Sequence, residues 1–261
     1  MTTTLRKELE KLNKVLDKAP EWALNPLRFN FNFDINNNKD VMIFSFISRQ
    51  YQLAKDIETI IHSNQFSCGA GTLLSSLMEN VLLFVWIAED IEIRSNLFRE
   101  YDAIRDLKII PENNPFIKNL ILQRCRNNGH IYKRKNKKID TEQEQLNYEN
   151  YIDAWYKNEE KTLKDIAKNI KLTIKSDLGD ISFLQLYEKS YNEMCDMKHI
   201  NAQDTVTGID FEEWQYKLQR IVMYTTKFMH ITNTIFVYIY DLLKLRIANE
   251  FLEYRGKLYV K

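Results

Sequence analysis

The chain has 261 residues, enough for one large domain or two small ones with a sizeable core. Its 37 Lys and Arg nearly cancel its 36 Asp and Glu, which excludes the overall positive field of a general nucleic-acid binder and confines any such role to a local patch. With 6 Gly and 4 Pro it has too few turn formers for a sandwich or barrel, so the expected fold class is all-α.

In chain order, Leu5, Leu9, Leu12 and Leu16 form one helical stripe that stops at Ala19-Pro20. The opening Met1-Thr2-Thr3-Thr4-Leu5-Arg6-Lys7 lacks the apolar core of a signal peptide. Phe29 to Asn38 is aromatic and Asn-rich and reads as a linker. Residues 1–38 are therefore expected to be a helix plus linker, and residues 39–261 a single helical-bundle domain. A helix from about Asp40 carries Ile43, Phe46, Ile47, Tyr51, Ala54, Ile57, Ile60 and Ile61 to an expected break at Cys68-Gly69-Ala70-Gly71. The next, Leu73 to Ala88, holds one charged residue, Glu79; a helix apolar on nearly every side belongs at the centre of a bundle. A more polar segment, Ile91 to Lys108, ends before Pro111 and Pro115.

Gln123 to Lys138 joins turn residues to a dense positive run and is expected to be an exposed loop. Thr141-Glu142-Gln143-Glu144 matches a capping box opening a helix through about Ile174, and Ser182-Phe183-Leu184-Gln185 a second, opening a helix to about Lys198. From Asp210 the spacing of Trp214, Leu218, Ile221, Thr225, Phe228, Thr232, Ile235, Ile239, Leu242 and Ile247 runs to Gly256, a helix long enough to be the spine of the bundle or to kink. The apolar stretch Ile231 to Leu245 is interrupted by Asn233, Asp241 and Lys244, so no membrane span is expected. Cys68, Cys125 and Cys195 are too widely spaced for a disulfide framework, which points to a reducing cytoplasm.

Four groups of residues carry chemistry. Glu79 has Ser75 and Ser76 one turn back and Thr72 two turns back; this stripe either faces solvent or buries Glu79 against an Arg or His from another helix. In the second case desolvation raises the pKa of the acid and the cation lowers it. Tyr187, Tyr191, Cys195 and His199 stand at four-residue steps, either a row able to move protons near neutral pH or a packed Tyr face with a His favourable at the helix end. Each Cys has a His a few residues away, but no C-x-x-C or H-x3-H pair anchors a zinc site, so neither metal nor cofactor is expected. Lys133, Arg134, Lys135, Lys137 and Lys138, with Tyr132 beside them, either grip RNA phosphates and stack a base or form a solvated loop.

Leu73 to Trp86 followed by Phe98-Arg99-Glu100-Tyr101-Asp102-Ala103-Ile104-Arg105-Asp106-Leu107-Lys108 resembles a bacterial family of all-helical proteins related to the HEPN superfamily. That family shows an R-x3-E turn on an apolar helix, an F-x2-Y-x3-R/K helix and a late Tyr-rich helix ending in S-x3-H. Glu79, Tyr101, Arg105 and His199 fall in matching places, while Ser75 stands where Arg is usual and Cys195 where Ser is. Without that Arg, Glu79 needs another cation, with Arg105 or Arg94 the first choices. Arg124 and His130 also stand at the R-x5-H spacing of HEPN ribonucleases, although Asn127-Asn128-Gly129 would break the helix such a motif needs.

The resemblance implies a HEPN-like bundle with a long C-terminal helix and a role in bacterial defence or toxin biology. The expected activity is a metal-independent ribonuclease with Glu79, Arg105, Tyr191 and His199 at its centre. The alternative is a non-catalytic binding or assembly module whose C-terminal helix pairs with a partner protein or a second copy.

Overall fold

The computed structural model describes residues 1–18, 34, 36–63, 68–96, 98, 116, 162–174, 180–198 and 211–239. Most of the linker, the Thr141 capping box and the expected helix beyond Ile239 lie outside these residues. Within them the protein is predominantly helical, an all-α bundle with one small strand pair.

Helix α1 (Thr3–Lys18) places Leu5, Leu9, Leu12 and Leu16 in the core, as their spacing requires. The Thr2 hydroxyl caps it by accepting from the Leu5 N–H, while the Thr2 N–H donates to Gln215 Oε1 at 3.0 Å. Helix α2 (Asn38–His62) opens at Asn37, whose side chain accepts from the Lys39 N–H. The break that follows falls earlier than its glycines suggest. Helix α3 (Cys68–Glu89) already contains Gly69 and Gly71 in its first turns. Each glycine costs about 1 kcal/mol against alanine there, less than burying the apolar turns around Ala70 and Leu74 returns.

Helix α3 is the hub. It packs against α2 and, further along the chain, against α4 (Leu163–Asn169), α5 (Phe183–Lys198) and α6 (Phe211–Ile239). Phe84 and Trp86 are fully buried, and Phe84 stacks on Phe46 of α2 with ring centroids 6.0 Å apart. From Gly69 to Glu89 it is also long and apolar enough to cross a membrane, but 67% of that apolar window is buried among its neighbours, as a core helix demands.

Residues 162–182 correct one expectation. A helix through Ile174 was expected, yet α4, capped by Thr162, ends at Asn169. The β-branched pair Thr173–Ile174 forms strand β1, antiparallel to β2 (Ile181–Ser182), with Thr173 opposite Ser182 and Ile174 opposite Ile181. Just before β1, one oxygen of Glu89 at the end of α3 accepts from the Lys171 and Leu172 N–H groups at 2.6 and 2.9 Å. The second capping box is present: Ser182 Oγ accepts from the Gln185 N–H, and Gln185 Oε1 accepts from the Ser182 N–H.

Pairings fix the directions of the helices. Phe44 meets Phe236 edge-on, and the Tyr51 hydroxyl donates to Asn233 at 2.9 Å, so α6 runs antiparallel to α2. Burial pushes the Tyr51 hydroxyl well above its usual pKa, against the smaller opposing effect of the Asn233 bond. Because α2 and α3 form an antiparallel hairpin, α6 runs with α3. The start of α5 is tied through β2, β1 and Glu89 to the end of α3, so α5 runs against both. The 29 residues of α6 form a continuous helix of roughly 43 Å, the described part of a helix expected either to kink or to be the spine of the bundle.

Candidate functional site

The two flanks of α5 differ in chemistry, and the line of contact with α3 divides them. Ser190 is fully buried and its hydroxyl meets Met78 Sδ at 3.2 Å, which fixes the facing line. Successive helical residues turn by about 100°. Glu79 lies one residue past Met78 and Tyr191 one past Ser190, and for antiparallel helices these equal rotations carry both to the same side of the seam. By the same rule Ser75 and Tyr187 share that side, while Lys189 and Glu193 turn to the other.

On the first side, Tyr187 and Tyr191 stack with centroids 5.1 Å apart and planes 21° from parallel; Tyr191 is 42% exposed. Glu79 is half-buried, and among the described residues its carboxylate takes part in no hydrogen bond or ion pair. Its polar neighbours turn back on their own helix: Ser76 donates to the Thr72 carbonyl and Asn80 to the Ser76 carbonyl. Thus the stripe is real, and it is neither fully solvated nor sealed.

The structure brings Glu79 and Tyr191 to one seam. Arg105 and His199 lie outside the described residues, as do Arg124, His130, Lys133, Arg134, Lys135, Lys137, Lys138 and the Cys195 side chain. Arg94, the other cation expected beside Glu79, is placed elsewhere. It lies beyond the far end of α3, where its guanidinium donates to the Trp86 carbonyl and rests 4.1 Å from the Trp86 ring centroid. Among the described residues no group of three His, Cys, Asp or Glu side chains is placed to hold a metal ion.

The second side carries residues that sequence reasoning missed. The Arg220 guanidinium of α6 reaches both oxygens of Glu193 at 2.6–3.0 Å, donates to the Tyr224 hydroxyl at 3.0 Å and lies 5.0 Å from the Tyr224 ring centroid. Burial is the largest single influence on Arg220 and would lower its pKa, but the Glu193 bond together with the charges of Tyr224, Glu193 and Tyr216 outweighs it and the net shift is upward. Burial and then Glu193 push the Tyr224 hydroxyl up to about 12. Lys227 shifts downward, because it is half-buried and because Lys189 and Arg220 add like charge. In the sequence these residues had one signal: Arg220, Tyr224 and Lys227 stand at helical spacing on one face.

No curated protein and no solved structure matches the chain. A family match covers residues 40–213, more than half of the chain, from the first turn of α2 through the whole α3–α5 seam to the first turn of α6. On that match the chain belongs to the family of unknown function DUF5677.

Proposed function

We propose that the chain is a HEPN-like bacterial defence or toxin-type protein that cleaves RNA without a metal, at the Glu79–Tyr191 side of the α3–α5 seam. One observation carries this reading: an acid with no bonding partner among the described residues shares one side of a helix seam with the exposed Tyr191, which stacks on the half-buried Tyr187. His199, next in the chain after the last residue of α5, is the general acid/base; it takes the proton of the attacking hydroxyl and returns one to the leaving oxygen. Tyr191 orients the phosphate or sugar. Arg105 offsets charge on the five-coordinate phosphorus, with Glu79 as the positioning residue for Arg105. Lys133, Arg134, Lys135, Lys137 and Lys138 give salt-sensitive attachment to RNA.

In this reading His199→Ala abolishes RNA cleavage and leaves the helical circular dichroism unchanged. Cleavage by that variant at the parental rate overturns the assignment.

A second reading, a non-catalytic assembly module, is favoured by a different observation. Phe211, Tyr216 and Met223 of α6 are 56%, 60% and 39% exposed, and such side chains concentrate in protein interfaces. Mass measurement in solution separates the two readings: a stable oligomer whose contacts bury Tyr191 favours assembly over catalysis.

A further inference from the structure

The outward face of α6 is complementary to a reversed copy of itself. Successive helical residues turn by about 100°, so Tyr216 and Met223, two turns apart, lie within roughly 20° of one line. Both project from the bundle as exposed side chains. Glu212, which is exposed, stands one turn before Tyr216, and Lys227, which is half-buried, stands one turn after Met223. The other faces of the helix meet the bundle: Gln215 takes the Thr2 N–H ahead of α1, Asn233 and Phe236 meet Tyr51 and Phe44 of α2, and Arg220 holds Glu193 of α5.

Along the outward line the order is acid, aromatic ring, thioether, cation, and the spacing is symmetric. Glu212 and Lys227 are equally far from the midpoint between Gln219 and Arg220, and so are Tyr216 and Met223. A two-fold axis at that midpoint sets a second copy of the helix antiparallel to the first. Tyr216 of each copy then packs on Met223 of the other, and Glu212 of each lies beside Lys227 of the other. Aromatic rings and thioethers attract one another, and both are enriched at the cores of interfaces. A parallel pair would set acid against acid and ammonium against ammonium, so charge selects the antiparallel arrangement. Glu212 and Lys227 also interact within their own chain; what counts here is the sign of each charge and its place on the line.

We propose that this face is the contact between two copies of the chain, a two-fold dimer built on antiparallel α6 helices. The proposal deepens the assembly reading, on whose exposed side chains it rests, by naming the partner. It leaves the Tyr191 flank of α5 uncovered, so it holds whether or not the chain cleaves RNA. A paired stretch of about four turns is smaller than the roughly 1,600 Å² of a standard interface, so the association is expected to be weak enough to titrate.

Sedimentation equilibrium of the full chain from about 1 μM to 1 mM tests it. The parent should pass from the monomer mass to twice that mass. Glu212→Lys and Lys227→Glu, each measured alone, should weaken the dimer by about tenfold, because both cross-chain contacts become repulsive. An equimolar mixture of the two variants should associate as the parent does, since every contact then pairs opposite charges again. A folding defect cannot produce that rescue. A dimer that neither substitution weakens, or weakened variants that fail to rescue each other, overturns this face and leaves the assembly reading standing. A monomer at every concentration overturns the pairing together with the oligomer that the assembly reading expects.

Discussion

The two flanks of α5 put the same kind of residue to opposite use. On one, Glu193 is held by a guanidinium that touches both its oxygens, and the neighbouring tyrosine is drawn into the same arrangement. On the other, Glu79 is half-buried across the seam from stacked tyrosines, with no hydrogen bond or ion pair among the described residues. An acid settled in an ion pair contributes to stability, whereas an acid without one leaves its charge open to another partner. The contrast makes the Glu193 flank structural and leaves the Glu79 flank as the place where the proposed chemistry would act.

The largest expected effect removes what both flanks share. Phe84→Ala empties part of the hub beneath α2 and should cost about 3–5 kcal/mol in urea denaturation, loosening both sides together. Next, Arg220→Ala should cost about 1–3 kcal/mol, between the values for exposed and buried ion pairs, because the pair is partly exposed and Glu193 is left without its cation. A smaller effect is alkaline. Tyr224 holds its proton to about 12 in the fold against the usual 10, so between those values the folded state binds more protons than the unfolded one, and stability falls as pH rises. Tyr224→Phe should flatten that decline in thermal midpoints recorded from pH 9 upward. The smallest effect is the sharpest test of the contrast. Glu79→Gln should change stability by less than about 0.5 kcal/mol while impairing RNA cleavage. A loss as large as that of Arg220→Ala would mean that Glu79 is structural after all.

Much of the fold was legible because it rests on local patterns. The unbroken apolar run around Phe84 marked α3 as central, and Ser182 with Gln185 announced the start of α5 to the residue. The errors came where tertiary burial overrides local preference: Gly69 and Gly71 looked like a break but are helical, and Thr173–Ile174 looked like the end of a helix but pair as a strand. Of the site, the stripe on α3 and the tyrosine row on α5 were legible from helical periodicity. Their meeting was not, because it depends on how α5 is rotated against α3. The Glu193–Arg220 bridge was invisible for the same reason, since 27 residues separate its partners and nothing in either helix specifies the other.

The bond from Glu89 to the Lys171 and Leu172 N–H groups has a consequence for how such a protein can change over evolution. It anchors the chain just ahead of the strand pair, and the pairing of Thr173 with Ser182 ties that anchor to the cap from which α5 starts. Inserting a single residue within the first turn of α5, with Ser182 held in place, would turn the rest of the helix by about 100°. Lys189 would then swing toward the buried face and Tyr191 away from the acid. Ser182, held by the strand pair, therefore acts as an index for the helix: the spacing of each side chain from that cap decides which chemistry α5 presents on each side.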